Sequence, residues 1–494
     1  MTGTAVSLPH TSELFLASRW RTPSSDKVFT VLDPHSGQQL IDLPDAAIDD
    51  AKLAIDLAVR LVQDGGWSDL ASEERSEFVA RWRAALADRT EDLNVNNSRE
   101  TGMPIRLASG MTDLGIALID DDLELVKTVP FVEQREILTG TVEVHREAIG
   151  LTLIIGTYNG AVTGLGMSVA PALLMGNPVI LKLPPENHLV GQVIAEAAAE
   201  AGFPEGALSI FAGDADVSRY LVAHSAVDAV HFTGGTKIGA EVAAVAAQRI
   251  ARVTLELGGK TAAIVADDAD LDVVLPTLVG GAVGNQGQMC IASTRILVSR
   301  SRHDVLVEKL VEAFGKLTVG DPLDPATEYG PLAAERVRDR TRAFIGRAVT
   351  DGATIAYGGD VPHGLSDGYY LLPTLLTGVD NSMEVAQEEV FGPVFCVIPY
   401  DDIDDAVRIA NDSKYGLYGT IFTTDSDLAH DVARRVRVGQ FGIDGTFPSL
   451  AAPYGGMKES GYGRVGGIEG MLELSNIKVI LPGAPTSETS EVAV

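Results

Sequence analysis

The length, composition and charge of the chain exclude several classes of protein. Its 494 residues are 46% hydrophobic and 21% charged, which provides apolar material for the cores of about three domains of about 150 residues each. The 68 acidic and 38 basic side chains give a formal net charge of -30, and a charge of this sign repels nucleic acid and anionic lipid. We therefore expect a globular protein that binds neither nucleic acid nor membrane.

The cysteine count and the two termini indicate where the protein works. Cys290 and Cys396 are the two cysteines, too few for a disulfide framework or a Cys-rich zinc site, so a reducing compartment is expected. No basic segment followed by an apolar run opens the chain, and no window reaches the ~20 apolar residues of a membrane helix. We expect a cytoplasmic protein without a metal site, in which residues 483–494 form a polar, disordered tail.

Helical and strand-like patterns alternate along the first half of the chain. Short strand-like runs fill the first 41 residues, and apolar residues follow at helical spacing over 49–62 and 73–93. From residue 151 onward, short apolar runs alternate with helical segments, a pattern typical of a parallel sheet with crossover helices. The predicted strands cover 151–155, 178–181, 208–211, 229–232 and 253–255. This series predicts a doubly wound, nucleotide-binding arrangement.

A second α/β series and two separate strand signals complete the pattern. Apolar runs at 262–265, 295–298 and 394–398 and a helical segment at 303–316 predict a second domain with its own sheet. Two alternating runs around Thr139-Gly140 predict a hairpin, and residues 475–481 predict a strand that needs a partner. A hairpin and a lone strand together indicate an oligomerisation sheet.

Two segments carry side chains suited to catalysis. In Gly287-Gln-Met-Cys290 a thiol follows a glycine, although most free cysteines only fill space in the core, as we expect for Cys396. In Leu255-Glu-Leu-Gly-Gly-Lys260 a carboxylate ends a strand, where parallel sheets bind ligands, the alternative being a solvated loop acid. The following Gly259-Lys260-Thr261 is no phosphate loop, because Thr254 holds the place of the required earlier glycine.

Glycines follow one of the predicted strands. In Phe232-Thr-Gly-Gly-Thr-Lys-Ile-Gly239 a strand end, three glycines and a helix succeed one another, so that a pyrophosphate could approach the helix N-terminus. The spacing differs from the usual dinucleotide fingerprint. A further pair, Gly164-Leu-Gly166, is attributed to helix packing.

Taken together, these segments resemble the aldehyde dehydrogenase superfamily over nearly the whole chain. The resemblance extends to Thr157-Tyr-Asn159, in place of the family's Pro-Trp-Asn, to Lys182 at a strand end, to Glu389-Val-Phe-Gly-Pro393 and to Pro453-Tyr-Gly-Gly-Met-Lys-Glu-Ser-Gly461. Glu256 precedes Cys290 by 34 residues, as in the family. These motifs in the family's order are not a chance match, and they imply a non-acylating, NAD(P)-dependent aldehyde dehydrogenase.

The resemblance implies a fold and its division into domains. It describes an α/β protein with two doubly wound parallel-sheet domains, a Rossmann-like cofactor domain and a catalytic domain, plus a small β oligomerisation element. The expected boundaries are 1–128 with 149–257 for the cofactor domain, 258–443 for the catalytic domain and 129–148 with 472–482 for the oligomerisation element. Residues 444–471 would return to line the active site.

The same resemblance implies the chemistry. Cys290 would attack the aldehyde as a thiolate, and the thiohemiacetal would pass hydride to the nicotinamide and become a thioester. The Asn159 amide and the Cys290 backbone N–H would stabilise the oxyanion. Glu256 would activate the hydrolytic water. Relatives that transfer the acyl group to coenzyme A tend to lack this glutamate, so its presence favours the acid-forming reaction.

The resemblance also implies which residues bind the cofactor. NAD is the expected cofactor, and NADP is the alternative. The expected cofactor-binding residues are Ile155, Thr157, Tyr158, Lys182, Gly213, Phe232, Thr233, Gly234, Gly235, Ile238, Gly239, Leu257, Glu389 and Phe391. The chain departs from the family at Pro185, where a ribose-binding glutamate is common, although Glu186 follows it. Tyr158 replaces a tryptophan, Gly235 a common serine and Asp444 a common asparagine.

The same residues also bear on other possible functions and on the substrate. A non-catalytic binding protein of this fold would be expected to have lost Cys290 or Glu256, and an unrelated cysteine hydrolase would need a motif around one of the nine histidines. A thiol-dependent esterase activity is compatible with the main interpretation. Residues 164–170 and 445–452 lack basic side chains, which favours an apolar aliphatic or aromatic aldehyde over a dicarboxylic semialdehyde. A homodimer or homotetramer is expected.

Overall fold

Two large β-sheets organise the structure, a computed structural model that describes residues 8–138 and 140–481. The chain begins with the strands β1 (Leu14–Leu16), β2 (Arg19–Arg21), β3 (Val28–Leu32) and β4 (Gln39–Pro44). Four helices follow: α1 (Ile48–Gln63), α2 (Ser72–Ala87), α3 (Thr90–Thr101) and α4 (Ile105–Leu125). Since Thr139 and residues 482–494 lie outside the described residues, the predicted tail is not part of the structure described.

The first sheet is built mainly from the next segment of the chain. This segment begins with the hairpin β5 (Val132–Ile137) and β6 (Gly140–Ala148), which belongs to another sheet. It continues with β7 (Thr152–Ile155), α5 (Ala170–Leu174), β8 (Val179–Leu183), α6 (His188–Ala201), β9 (Leu208–Ala212), α7 (Ala215–Ala223), β10 (Ala229–Thr233), α8 (Thr236–Ala247) and β11 (Arg252–Glu256). A π-helical turn, Leu165–Val169, leads into α5. Such turns are rare and often lie at functional sites.

The second half of the chain repeats the alternation. It contains β12 (Ala262–Val265), α9 (Leu271–Val283), β13 (Arg295–Ser299), α10 (His303–Gly315), α11 (Glu335–Thr350), β14 (Thr354–Tyr357), β15 (Thr374–Thr377), α12 (Glu384–Gln387), β16 (Val394–Tyr400), α13 (Ile403–Asn411), β17 (Tyr418–Phe422), α14 (Ser426–Arg435) and β18 (Gln440–Ile443). The last elements are β19 (Gly461–Tyr462), α15 (Gly467–Glu473) and β20 (Ser475–Ile480).

The strand orders confirm the predicted fold class. The first sheet has eight strands in the order β19-β11-β10-β7-β8-β9-β1-β2, and its central strands β11 to β9 are parallel. The second sheet has seven strands in the order β14-β15-β16-β13-β12-β17-β18, and all but β14 are parallel. The chain is therefore an α/β protein with two parallel sheets.

A third, antiparallel sheet accounts for the separate strand signals. The hairpin β5–β6 is present, and β20 pairs with β6 from Ser475 opposite Ala148 to Ile480 opposite Glu143. The lone C-terminal strand thus finds its partner within the same chain. The short pair β3–β4 forms a separate two-stranded sheet.

The helical pattern over 73–93 is not one helix, contrary to the sequence prediction. The structure breaks it into α2 and α3, because Asp88 ends the first helix and Arg89 has φ -112° and ψ 17°. Both helices pack against α6, so the apolar spacing continues across the break. Within residues 8–138 and 140–481, no helix is both long enough and apolar enough to cross a membrane.

The registers of the first sheet bring the predicted site residues to one edge. Ile155 on β7 pairs with Lys182 on β8 and with Phe232 on β10, and Thr233 pairs with Glu256 on β11. Neighbouring strands lie about 4.8 Å apart, so these residues end the parallel strands side by side. Ligands of open α/β sheets bind at this carboxyl edge.

Candidate active site

A cavity at the carboxyl edge of the first sheet contains the three predicted catalytic residues, Cys290, Glu256 and Asn159. Its volume is about 120 Å³. Most of the remaining wall is apolar and includes Met111, Ile154, Ala161, Met167, Leu181, Leu183, Leu257, Met289, Ile291, Phe447 and Leu450. The structure therefore brings a thiol, a carboxyl and an amide together in an apolar environment.

A tight loop after α9 carries Cys290. Three successive residues have left-handed backbone: Asn285 (φ 47°), Gln286 (φ 55°) and Gly287 (φ 70°). At Gly287 a Cβ would lie 2.5 Å from the Gly392 carbonyl oxygen, so only glycine fits. Left-handed backbone costs about 1–3 kcal/mol at a residue other than glycine, and such strain is retained mainly where a site requires the geometry.

The side chain of Gln288 holds this loop in place. Its Oε1 accepts hydrogen bonds from Tyr158 Oη (3.2 Å) and from the Ala333 backbone N–H (3.1 Å). Its Nε2 donates to the Asn285 carbonyl at 3.1 Å. The loop is thus fixed from both domains of the fold, and the thiol that follows it points into the cavity.

The thiol of Cys290 is in an environment that disfavours its charge. Burial raises its pKa to about 12, and the carboxyls of Glu389 and Glu256 add to the rise, whereas a hydrogen bond with Tyr454 opposes it. The Cys290 Sγ and the Tyr454 Oη are 3.4 Å apart. Cys396, in contrast, is fully buried within β16, as expected of a cysteine that packs in the core.

The side chain of Asn159 is oriented by two hydrogen bonds. Thr157 Oγ1 donates to its Oδ1 at 3.0 Å, and its Nδ2 donates to the Gln288 carbonyl at 2.9 Å. An amide nitrogen carries two N–H groups, so one remains for a ligand in the cavity. The contact also ties the Asn159 turn to the loop that carries the thiol.

Glu256 is the last residue of β11, and its carboxyl is buried. Among the described residues neither of its carboxyl oxygens has a hydrogen-bond partner. Burial raises its pKa well above the ordinary value, Arg464 opposes this and Glu473 adds to it. The backbone approaches so closely that a Cβ at Gly455 would lie 2.7 Å from Glu256 Oε1. A buried carboxyl without partners is unfavourable for stability and typical of functional sites.

A second cavity of about 200 Å³ is also lined by Cys290. It shares Cys290, Glu256 and Asn159 with the first cavity. Its wall contains eight of the predicted cofactor residues: Thr157, Tyr158, Thr233, Gly234, Gly235, Leu257, Glu389 and Phe391. It also contains Arg336 and Arg340 of α11, which the sequence motifs did not indicate.

The start of α8 suits a pyrophosphate. The N-cap residue Gly235 supplies no side-chain cap to the helix, so the first backbone N–H groups are available to an anion. Gly239 lies one turn further on, where a Cβ would be 2.4 Å from Leu257 Cδ2. A side chain at this position would therefore displace Leu257 from the start of the helix. With Arg336 and Arg340 in the same cavity wall, the donor set fits a dinucleotide.

The other predicted cofactor residues lie beyond this cavity. Besides Gly239 they are Ile155, Lys182, Gly213 and Phe232 at strand ends and the half-exposed Ile238 on α8. Burial lowers the pKa of Lys182 to about 8, although Asp45 and Asp214 oppose the change. Glu186 forms an ion pair with Arg336, which places a carboxylate near the end of β8.

Glu389 and Phe391 are held firmly in the wall of the second cavity. The Gly259 N–H donates to Glu389 Oε1 at 3.0 Å, and burial raises the pKa of this carboxyl to about 7 against the effects of that N–H, Lys260 and Arg340. The Phe391 ring packs edge-on against Tyr158, with centroids 5.9 Å apart. The aromatic ring that replaces the family's tryptophan therefore still supports this wall.

The structure also explains several residues that the sequence left without an assigned role. Gly166 packs against a neighbouring helix, with its added Cβ 2.5 Å from Leu118 Cβ, whereas Gly164 has no atom within 4 Å and lines the first cavity, as expected for the substrate-pocket segment 164–170. Asp444 has φ 54° and accepts from the Thr423 N–H at 3.3 Å, a conformation that Asn and Asp tolerate best. Tyr454 belongs to the Pro453-Tyr-Gly-Gly motif, but no feature of the sequence indicated that it contacts the Cys290 thiol.

Comparison with known proteins agrees with this geometry. The model of the aldehyde dehydrogenase family matches residues 20–480. A geranial dehydrogenase of Castellaniella defragrans is 36% identical over 453 residues, which cover 91% of this chain and 94% of that protein. A betaine aldehyde dehydrogenase of Brucella anthropi is 33% identical over 475 residues, 94% of this chain and 96% of that protein.

Solved structures show the same fold. An aldehyde dehydrogenase of Mycobacterium tuberculosis, crystallised with NAD+, superposes with a TM-score of 0.93 at 36% identity, over 95% of this chain and 98% of that one. A betaine aldehyde dehydrogenase of Staphylococcus aureus with NAD+ gives 0.94 at 30% identity, over 97% and 96% of the two chains. The chain therefore belongs to the aldehyde dehydrogenase family and is an aldehyde-oxidising enzyme.

Proposed function

We propose that this enzyme oxidises an apolar aldehyde to the carboxylic acid with NAD, through a thiohemiacetal and a thioester on Cys290. The observation that carries the proposal is the meeting of two cavities at one thiol. One cavity is apolar and suits the aldehyde, and the other contains the uncapped start of α8 and two arginines. The substrate carbon and the cofactor can thus approach Cys290 from different sides.

In the first step the Cys290 sulfur attacks the carbonyl carbon and the carbonyl oxygen becomes negative. The free N–H of Asn159 and the backbone N–H of Cys290 are the donors for this oxyanion. One such preorganised donor contributes a factor of about 10²–10³ in rate. Since Asn159 is already held by Thr157 and Gln288, little reorganisation is needed when charge develops.

In the second half-reaction Glu256 acts as the general base. Its carboxyl oxygens have no partner among the described residues, so they can accept a proton from a water that attacks the thioester. Burial raises the pKa of this carboxyl, which makes its carboxylate a stronger base than an exposed one. The acyl group then leaves as a carboxylic acid and the thiol is restored.

The second cavity provides the groups that would hold the cofactor. The start of α8, with Arg336 and Arg340, would bind the phosphates, Glu389 and Phe391 the nicotinamide riboside, and Lys182 the adenosine ribose. When bound, NAD supplies the acceptor for the hydride that leaves the thiohemiacetal. The preference for NAD is supported by the M. tuberculosis relative, which was crystallised with NAD+.

The composition of the first cavity favours an apolar substrate. Within the described part of the chain, its wall contains no lysine or arginine that could bind a second carboxylate. It is lined mostly by aliphatic side chains and methionines. One relative is a geranial dehydrogenase, and geranial is an apolar aldehyde. A medium-length or terpenoid aldehyde therefore fits better than betaine aldehyde or succinic semialdehyde.

The test is an activity panel. Purified enzyme is mixed with NAD or NADP and with octanal, geranial, benzaldehyde, betaine aldehyde or succinic semialdehyde, and the absorbance of reduced cofactor and the acid product are measured. We expect NADH and the acid with the apolar aldehydes. A strong preference for succinic semialdehyde would contradict the substrate class, and no turnover by a folded protein that binds dinucleotide would favour a binding protein.

Gly164 is expected to set the size of the accepted aldehyde. A side chain at this position projects into the first cavity, where nothing lies within 4 Å of its Cβ. We expect Gly164→Leu to lower kcat/KM for octanal or geranial about 10- to 100-fold, the range for overpacking, and to leave propanal nearly unaffected. The control is Gly346→Leu on the exposed side of α11, where a Cβ is also unobstructed. Equal losses for short and long aldehydes would show that the position does not select for size.

We further propose that the third sheet mediates assembly into a homodimer or homotetramer. One face of β20 exposes Ile477 (62%), Val479 (51%) and Leu481 (69%), because successive side chains of a strand alternate between faces. Exposed apolar patches of this kind mark interfaces. We expect Val479→Lys to lower the mass measured by light scattering at micromolar protein, whereas Lys478→Ala on the opposite face should not. A monomeric wild type would contradict the proposal.

The state of the cysteines supports a cytoplasmic location. Both are free thiols, and the proposed mechanism requires that Cys290 stay reduced. Free thiolates are the reactive form of cysteine, and reducing compartments preserve them. We therefore propose that the enzyme works in the cytoplasm.

A further inference from the structure

Tyr454 is the side chain that contacts the sulfur of the proposed nucleophile. Among residues 8–138 and 140–481, no other side chain forms a hydrogen bond with Cys290 Sγ, and the distance from Tyr454 Oη is 3.4 Å. For a hydrogen bond to sulfur this is a normal length. The hydroxyl has no second partner in the described structure, so the contact with sulfur is its specific interaction.

The position of this hydroxyl is fixed by the return segment. The Tyr454 N–H donates to the Val465 carbonyl at 2.8 Å, and the Val465 N–H donates back at 2.9 Å. The ring is buried in a small cluster with Ile291, Leu417 and Tyr418. The hydroxyl therefore reaches the sulfur without being free to swing away, which is the arrangement expected of a preorganised donor.

The direction of the hydrogen bond follows from the chemistry of the two groups. A thiol is a weak donor and a weak acceptor, whereas an ionised sulfur has no hydrogen to donate. Burial keeps Tyr454 protonated, because it raises the pKa of the phenol well above its ordinary value, and Cys290, Glu256 and Glu389 add to this. In the reactive thiolate form of Cys290, the phenol must therefore be the donor.

The surroundings of Cys290 make such a donor necessary. Its side chain is partly buried, and desolvation together with two carboxyls, Glu389 and Glu256, disfavours negative charge on the sulfur. Within the described residues, no lysine or arginine lines the first cavity. Arg336 and Arg340 face the second cavity, but neither forms a hydrogen bond with the sulfur in the described structure. Two contacts lower the pKa of the thiol, the hydrogen bond with Tyr454 and a weaker one with the Cys290 backbone, so a charge-assisted bond from Tyr454 is the main stabilising contact from a side chain.

We propose that Tyr454 is a further catalytic residue, whose hydroxyl donates a hydrogen bond to the Cys290 thiolate and thereby maintains the reactive form of the nucleophile. This role rests on the proposed function of Cys290. It makes the tyrosine of the Pro453-Tyr-Gly-Gly segment a functional part of the site, through its oxygen and not only through its ring.

The experiment measures the ionisation of Cys290 directly. Tyr454→Phe keeps the ring and removes the oxygen. Timed alkylation with iodoacetamide across a pH series, followed by peptide mass spectrometry, gives the pH midpoint of Cys290 reactivity. We expect the variant to raise this midpoint by about one pH unit, so that alkylation near neutral pH slows about tenfold. The pre-steady-state formation of NADH should shift along the pH axis in the same way.

Two controls separate an electrostatic from a structural effect. Tyr418→Phe removes another hydroxyl from the same cluster, one that donates to the Thr446 carbonyl, and it should leave the Cys290 midpoint unchanged. Replacement of Tyr454 by 3-fluorotyrosine gives a more acidic phenol with the same shape, and it should lower the midpoint. That substitution also decides the question if Tyr454→Phe does not fold.

The outcomes distinguish this proposal from the proposed function. An unchanged midpoint in folded Tyr454→Phe, or in the fluorotyrosine enzyme, would overturn the role of the hydroxyl even if the wild type oxidises aldehydes normally. Failure of the wild type to oxidise any aldehyde would instead count against the proposed function, because the alkylation assay needs neither substrate nor cofactor.

Discussion

Replacement of Cys290 by alanine is expected to abolish aldehyde oxidation, with a fall in kcat on the order of 10⁴-fold or more. The cavity contains no other thiol, since Cys396 is buried within β16. Without the sulfur there is no thiohemiacetal from which hydride can leave. The measurement is NADH formation with the best aldehyde of the panel, together with a search for the acyl-enzyme by intact-protein mass spectrometry.

Cys396→Ala is the matched control for this loss. Its side chain packs in the core and does not line either cavity, so this variant should keep its kcat even if it unfolds at a lower temperature. Cys290→Ala should still bind dinucleotide, because the cofactor residues are unchanged. Substantial turnover by Cys290→Ala would refute covalent catalysis through this thiol.

Replacement of Glu256 by glutamine is expected to separate the two half-reactions. Glutamine keeps the shape but cannot accept the proton of water, so the thioester should form and then hydrolyse slowly. We expect an initial burst of about one NADH per active site, followed by a steady rate about 10²–10⁴-fold below that of the wild type. Stopped-flow absorbance measures the burst, and mass spectrometry detects the accumulated acyl-enzyme.

The pH dependence provides a second measure of the same role. In the wild type, deacylation needs the carboxylate form of Glu256, and burial raises the pKa of this group, so the rate should rise with pH above the range in which an exposed carboxyl ionises. In Glu256→Gln this rise should be absent. Glu473→Gln removes a carboxyl that raises the pKa of Glu256 and lies outside both cavities, so it should keep the rise and move it to lower pH. Loss of the burst itself would show that Glu256 acts before the thioester forms.

The same raised pKa predicts an effect on stability. In the unfolded chain the Glu256 carboxyl ionises at its ordinary pKa, whereas the folded state favours the protonated form. The folded state therefore binds more protons, and the free energy of unfolding falls as pH rises above the ordinary pKa. Glutamine cannot ionise, so the free energy of unfolding of Glu256→Gln lacks this decrease with pH. The variant should therefore melt at a higher temperature than the wild type at neutral pH. The Glu256 carboxyl, which is needed for catalysis, is thus present although it lowers the stability of the folded protein.

The parallel strands could be predicted from the sequence because of where they lie. Strands β7 to β10 are buried on both faces, and such strands appear as continuous apolar runs between helical segments. The three-residue strands β1 and β2 extend the first sheet but are too short to show a period. The break between α2 and α3 also escaped prediction, since one apolar face continues through both helices.

The site was predictable where motifs and strand ends coincide. Glu256 ends a strand and Cys290 belongs to a recognisable motif, so their roles could be stated before the structure. Arg336 lies on a helix outside any motif, and only the path of α11 brings it to the cofactor cavity. The contact of Tyr454 with the thiol depends on how a distant segment returns to the site, which no local pattern shows.

The position of Cys290 between two cavities has a consequence for the order of events. In the proposed mechanism the aldehyde occupies one cavity and the dinucleotide the other, so we expect that neither has to leave before the other can bind or depart. A thioester occupies the substrate side, and reduced cofactor can be exchanged for oxidised cofactor while the acyl group is still attached. We expect the rate of that exchange, rather than the chemistry, to limit turnover on good substrates. Product inhibition by NADH and by the acid should follow independent patterns.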